Sequence, residues 1–296
     1  MKKNILLILA LILISGCGNI DSFTSEPSNK AEFNFSSYDF ENITNNDVIE
    51  FNPQGIYAVD KNTIFVFGAI ERITNGAKRT FILRSIDGGK TWKEVSEPKK
   101  SYSIYHLAFL DDGYGWALGI LNTNDIGNPV LWRSFDNGET WSEAISLNAT
   151  GSSFFPLGIK FSDKDNGNIN FMDVMFVPSD RFGTLSTADG GLTWQETFSV
   201  IVPYDSDFKN SYYILEKLEN EYSNVPGGYY GNHWWKPSSD EILHATGHDG
   251  SEWHLYHHEA SKEFLLLRRN MQNSSWEVPA TIPDTFVYKD GHIVKP

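Results

Sequence analysis

The sequence predicts an all-β fold built from about five or six repeated units of four short strands, and three observations carry that reading. Short apolar runs with turn residues between them follow one another along much of the chain, as at 55–59, 63–68, 104–109 and 113–119. A nine-residue string recurs over residues 84–92, 133–141 and 186–194. The Asp residues of that string stand 49 and then 53 positions apart, which is the scale of one blade of a β-propeller.

The chain begins with a different kind of segment. Lys2 and Lys3 precede an apolar run over residues 5–14, and Ser15, Gly16 and Cys17 follow. A charged start, an apolar stretch and small residues at its end make an export leader; a permanent span needs about 20 apolar residues. Ile14-Ser15-Gly16-Cys17 resembles the lipobox of bacterial lipoprotein signals. That resemblance implies cleavage after Gly16, lipid on Cys17 and a membrane held through that lipid in the bacterial cell envelope. With Gly18 next, the outer membrane is the expected site in a Gram-negative cell. Cys17 is the single cysteine, so no internal disulfide can form.

Three segments follow: a cleaved leader over 1–16, a lipidated tether over 17–32 rich in Ser, Asn, Asp and Glu, and a propeller domain over 33–296. The composition, 40% hydrophobic and 14% aromatic, is that of a folded domain. Loss of Lys2 and Lys3 takes the formal charge from −14 to −16. So acidic a chain has no electrostatic attraction for nucleic acid, and none is expected as a partner.

The recurring string has the form Ser/Thr-x-Asp-x-Gly-x-Thr-Trp. Its copies are Ser85, Asp87, Gly89, Thr91 and Trp92; Ser134, Asp136, Gly138, Thr140 and Trp141; and Thr187, Asp189, Gly191, Thr193 and Trp194. Each copy follows an apolar run and precedes another short strand. In such a hairpin Asp accepts hydrogen bonds from the turn backbone, Gly takes a positive φ, the hydroxyls close local bonds and Trp anchors the turn. The pattern resembles the Asp-box, or BNR repeat, of sialidases and of non-catalytic propellers. The resemblance implies a structural turn on the outer strands, away from the ligand face, and no catalytic or metal-binding role for these carboxylates.

Each box sits late in its unit, giving units over about 51–98, 103–148 and 154–200. The string 107–119, with Gly115-Trp116-Ala117-Leu118-Gly119, resembles propellers of the photosystem II assembly-factor type. Gly68, Ala69, Ala117 and Gly119 suit inner strands crowded about a central channel. Strands at 241–246, 253–258, 264–269 and 276–278 make a boxless unit, with a partial box echo at 248–253. Residues 201–238 are expected to form an irregular blade, with either a helix or a strand within 212–222. Residues 285–288 and 293–294 are expected to pair with 33–50 and close the ring, which removes exposed sheet edges.

Three candidates for a site stand in the sequence. A sialidase holds its substrate carboxylate with three arginines and lacks no Phe/Tyr-Arg-Ile-Pro motif; here the nearest string is Glu71-Arg72-Ile73-Thr74, and the seven arginines give no evident triad. Seven of the eight histidines fall within 233–292, with His254, His257 and His258 as weak metal candidates against a plainer packing role. Tyr229, Tyr230, His233, Trp234 and Trp235 cluster after Pro226-Gly227-Gly228 and suit sugar stacking or protein contact. No cofactor is expected. The reading that follows is a lipid-anchored, non-catalytic propeller that binds a protein, either an envelope partner or a secreted toxin. Its alternative is a sialidase-like propeller that binds or hydrolyses glycans.

Overall fold

The computed structural model describes residues 32–34, 43–95, 103–123, 126–147, 154–173, 179–203, 242–258, 261–269, 276–290 and 292–294. Four antiparallel β-sheets organise them, each running outward from an innermost strand. The first contains β2 (Val48–Ala58), β3 (Ile64–Arg72), β4 (Ala77–Ser85) and β5 (Thr91–Glu94). The second contains β6 (Ser103–Phe109), β7 (Gly115–Thr123), β8 (Ile126–Ser134) and β9 (Ile145–Ser146). The third contains β10 (Phe154–Phe161), β11 (Gly167–Asp173), β12 (Ser179–Thr187) and β13 (Gln195–Pro203). The fourth contains β14 (Ile242–Thr246), β15 (Glu252–His258), β16 (Glu263–Arg269) and β17 (Glu277–Pro283). The all-β, propeller-like arrangement is the expected one.

Four sheets stand among the described residues where five or six blades were expected. The C-terminal strands start no further sheet, because β18 (Thr285–Lys289) adds to the first sheet at the free edge of β2 and β19 (His292–Val294) adds to β18. The irregular blade expected over 201–238, with its helix or strand at 212–222, lies outside the described residues beyond β13. The closing contact pairs Thr285, Phe286 and Val287 with Glu50, Ile49 and Val48. β1 (Glu32–Asn34) takes the opposite edge, running parallel to β5.

Both faces of the first sheet are apolar, so neighbouring sheets must cover both. Phe51 stacks on Phe81 at 4.7 Å and meets Phe264 of the fourth sheet and Phe286 of the closing strand edge-on. The other face places Phe65 flat on Phe109 of the second sheet at 4.6 Å. The second sheet repeats the device, with Trp116 flat on Phe161 of the third at 3.6 Å.

The innermost strands bulge at Pro53/Gly55, Ile104/His106 and Pro156/Gly158. Gly68 and Ala69 lie on β3 and Ala117 and Gly119 on β7, the second strands beside these bulges. A Cβ on Gly68 would come within 2.3 Å of the Asn52 carbonyl, and one on Gly119 equally close to that of Ser103. Here the small residues admit the bulged backbone.

The three boxes form the expected hairpins between third and fourth strands. In the first, the Ser85 hydroxyl donates to Asp87 Oδ1 at 2.8 Å and accepts from Gly89 N at 2.9 Å. Thr91 donates its N–H to Asp87 Oδ1 at 2.9 Å and its hydroxyl to Oδ2 at 2.6 Å. The same bonds recur about Asp136 and Asp189. Both residues after each Asp have left-handed φ, from 58° to 92°, which glycine and asparagine tolerate. The Trp92 and Trp194 indoles donate to Gly89 O and Gly191 O. Trp141 instead packs edge-on against Phe109 at 6.0 Å.

Two predictions follow from these contacts. Phe286 is 1% exposed, and replacing it with Ala should cost about 3–5 kcal/mol, read as a lower denaturation midpoint in urea. Hydrogen bonds from the Thr193 hydroxyl and N–H hold the Asp189 carboxyl down to about 2, against an ordinary 3.8. The stabilisation is therefore complete above the ordinary value and is lost as pH falls through the folded value. The gap in melting temperature between the wild type and Asp189→Asn should shrink from about pH 5 to about pH 2; a constant gap would mean that titration of this carboxylate does not contribute.

Candidate functional site

The two ends of the ring differ because the strand connections alternate between them. First-to-second strand turns and Asp-boxes share one end, and local bonds fix them together. Gly88 N, Asn137 N and Gly190 N, the same position in each box, donate to Asn62 O, Gly113 O and Asp165 O of the first turns. Bonds between sheets add to this. Arg84 of the first sheet pairs with Glu139 in the second box at 2.7 Å. Trp116 of the second sheet donates to Gly190 O in the third box at 2.9 Å. Arg268 of the fourth sheet donates to Lys61 O at 3.0 Å and lies against Gly88.

The partial box echo at 248–253 belongs to this end, but between first and second strands rather than third and fourth. Asp249 accepts from Ser251 N within its own turn and from Lys61 N of the first sheet, both at 3.0 Å. His248 donates its backbone N–H to Val59 O at 2.7 Å, and its ring nitrogen Nδ1 lies 2.5 Å from Asp111 Oδ1. The last contact joins the first turns of the fourth and second sheets.

The opposite end keeps accessible polar groups on the innermost strands. β2 presents Glu50, Asn52 and Gln54 at alternate positions, β6 presents Ser103 and Tyr105, and β14 presents His244. Burial pushes the Tyr105 hydroxyl above its ordinary range. Glu50 stands directly opposite Glu71 of β3, and Glu71 opposite Lys78 of β4, so the three share one sheet face, with Lys78 Nζ 3.1 Å from Glu71. Directly paired residues place their Cβ atoms about 5 Å apart, which sets two carboxyl groups side by side near the rim. Beside them Asp47 takes Arg72 at 2.6 Å and the Thr74 hydroxyl at 3.0 Å.

Among the arginines, Arg72, Arg79, Arg84, Arg181, Arg268 and Arg269 each pair with a carboxylate: Asp47, Glu94, Glu139, Glu196, Glu277 and Glu252. Arg133 lies over the Phe135 ring at 5.0 Å, beside Gly190 of the third box. These are the chain's seven arginines, and all are engaged in the frame. The structure brings no three of them together.

The histidines divide similarly. His106, on β6, is buried with its Nε2 3.2 Å from Pro156 O of the third sheet. His257 Nε2 lies 3.5 Å from Asp284, and His258 Nδ1 lies 2.8 Å from the Ser261 hydroxyl. His254 packs on Trp276 at 4.4 Å, and burial, with the charges of His244 and Arg269, pushes it down to about 4. The three weak metal candidates thus point to separate partners, and no group of three His, Cys, Asp or Glu side chains converges among the described residues. Tyr229, Tyr230, His233, Trp234, Trp235 and Cys17 lie outside the described residues. The carboxylates Glu50 and Glu71 were missed in the sequence, where nothing marks them except their position on the first unit's strands.

Residues 132–143 match the BNR/Asp-box repeat family, covering the second box hairpin. The vacuolar protein sorting/targeting protein 10 of Lodderomyces elongisporus is 31% identical over 187 residues, 63% of this chain and 10% of that protein. A xyloglucanase of Hypocrea jecorina is 29% identical over 197 residues, 63% of this chain and 22% of the enzyme. The chain thus spans between about a tenth and a quarter of these relatives' lengths. Among solved structures, an α-L-arabinofuranosidase of Clostridium thermocellum is 10% identical with a TM-score of 0.39, over 90% of this chain and 77% of that one. The chain carries a BNR/Asp-box repeat on an all-β, propeller-like fold.

Proposed function

We propose that this chain is a glycan-hydrolysing propeller that takes a neutral polysaccharide at the end of the ring opposite the Asp-boxes. The observation that carries the reading is the similarity to a xyloglucanase over 197 residues, far beyond the 12-residue family match at 132–143. Two features of the chain support it. The end opposite the Asp-boxes places Glu50, Asn52, Gln54 and Tyr105 on the first strands of two neighbouring sheets, where a sugar finds hydrogen-bonding groups. Glu50 and Glu71 supply two neighbouring carboxyl groups, the pair by which most glycosidases share proton donation with activation of water or attack on the sugar.

This corrects the expectation of a non-catalytic, protein-binding propeller of assembly-factor or toxin-immunity type. The xyloglucanase match favours the glycan alternative, and with it the lean against an enzyme is withdrawn. Within that alternative the engaged arginines disfavour an anionic sugar: a guanidinium whose charge is already offset by a carboxylate attracts a second one less strongly. The export leader and lipid on Cys17 complete the proposal by placing the domain at the surface of an envelope membrane.

The test is incubation of the purified chain with xyloglucan, arabinan and sialyl-lactose, with release of reducing ends as the readout. The expected result is cleavage of a neutral polysaccharide that falls at least about 100-fold in Glu50→Gln and in Glu71→Gln, with the circular dichroism melt retained. Cleavage of sialyl-lactose alone would overturn the neutral-sugar assignment. Failure to cleave or retain any glycan would overturn the proposal itself.

A further inference from the structure

The Asp-box end carries an apolar feature that the boxes do not need. Ile86 is 62% exposed, Phe135 57% and Leu192 56%. There is one in each of the three boxes, at positions where the turn's hydrogen bonds use only the backbone or nothing at all. The bonds of Asp87, Asp136 and Asp189 run through Ser and Thr hydroxyls and backbone N–H groups, so a polar residue at the apolar positions would serve these turns equally well. Phe135 is further held outward by Tyr114, edge-on at 5.5 Å, and by Arg133 above its ring.

The path of the chain leads to the same end. β1 runs parallel to β5, with Glu32 beside Thr91 and Asn34 beside Lys93. β5 leaves the first box at Thr91 and runs away from it. Glu32, the first described residue, therefore lies at the level of the first box. About 15 residues separate Cys17 from this point, and a flexible chain of that length has a root-mean-square reach of about 20 Å. The nine residues of β3 alone span about 30 Å at the strand rise. A tether of this length reaches a surface beneath the boxes at its relaxed span, and reaches one beyond the opposite rim only when drawn out past that span, to about three-fifths of a full length of about 50 Å.

We infer that the Asp-box end is a membrane-facing surface: lipid on Cys17 draws it onto the bilayer, and Ile86, Phe135 and Leu192 seat in the headgroup boundary. The inference rests on the lipid-anchor part of the proposed function and not on its glycan part. The occupant is a neutral lipid surface, since a chain of formal charge −14 with its leader gains nothing from anionic headgroups. The consequence is an orientation. The rim bearing Glu50 and Glu71 faces away from the membrane, towards polymers in the surrounding medium.

The test uses the full chain made in a bacterial host with labelled palmitate, then reconstituted in phosphatidylcholine vesicles containing doxyl-labelled lipid. Bimane is attached to Phe135→Cys at the Asp-box end and, separately, to Ile73→Cys at the opposite rim; Ile73 is 56% exposed, so both sites accept the label without disturbing the core. The expected result is palmitate on the wild type and none on Cys17→Ala, with doxyl quenching at least about twofold stronger at position 135 than at 73, as insertion to the headgroup boundary requires. Palmitate incorporation with equal or reversed quenching would overturn the orientation and leave the anchor standing. Absence of palmitate would overturn the anchor and the orientation with it. Neither result bears on glycan cleavage.

Discussion

Phe51 marks the constraint on which the fold depends. It lies on an innermost strand, stacks on Phe81 of its own sheet, and meets Phe264 of the fourth sheet and Phe286 of the closing strand. A sheet apolar on one face is complete once a single layer covers it. The first sheet is apolar on both, with Phe65 on its far side stacked against Phe109, and needs a neighbour on each side. Its inner edge is covered as well, because β18 pairs with β2. Burial of apolar surface drives this packing, and pairing the free edge removes a template for association with other chains.

Polar bonding then makes the two ends unlike. At one end each Asp-box is tied to the first turn of its own sheet through a single N–H, and arginine or tryptophan side chains reach across from the neighbouring sheet. These bonds satisfy turn backbone that would otherwise be left without partners, and they fix the sheets in relation to one another. The other end has Asp47 with Arg72 and Thr74, but also accessible groups on β2, β6 and β14 drawn from distant parts of the chain. An end stitched by backbone bonds suits a supporting role, and an end with accessible side chains suits recognition.

The arginines connect the frame to specificity. Six pair with carboxylates and the seventh lies over an aromatic ring at the second box. Arg79 with Glu94 is the most enclosed pair, both side chains being nearly inaccessible. Removing one partner from such a pair leaves a buried charge unmatched, a large penalty. The same commitment that secures the sheets offsets the charge of six of the seven guanidinium groups.

The Asp-boxes were legible in the sequence because their bonds are local: Ser or Thr, Asp, Gly and Thr lie within six residues of one another, and the turn requires each in its place. The fourth sheet was legible from its strand pattern even without a box, and the closing strand from an apolar run left over at the end. Longer-range features were misread or missed. Gly68 and Gly119 read as small residues of inner strands, but what their size answers to, bulges on the strands beside them, only the register reveals. The box echo at 248–253 was placed in outline only, since Asp249 completes its bonds with Lys61 of another sheet. Glu50 and Glu71 carry no motif; they are neighbours because β2 and β3 pair in one register and not in another. The sequence by itself determined the strand-rich repeat and its turns, because those depend on residues a few positions apart. Only the tertiary structure decided which end is closed, which arginines are engaged and which carboxylates meet, because each depends on sheets brought together from distant parts of the chain.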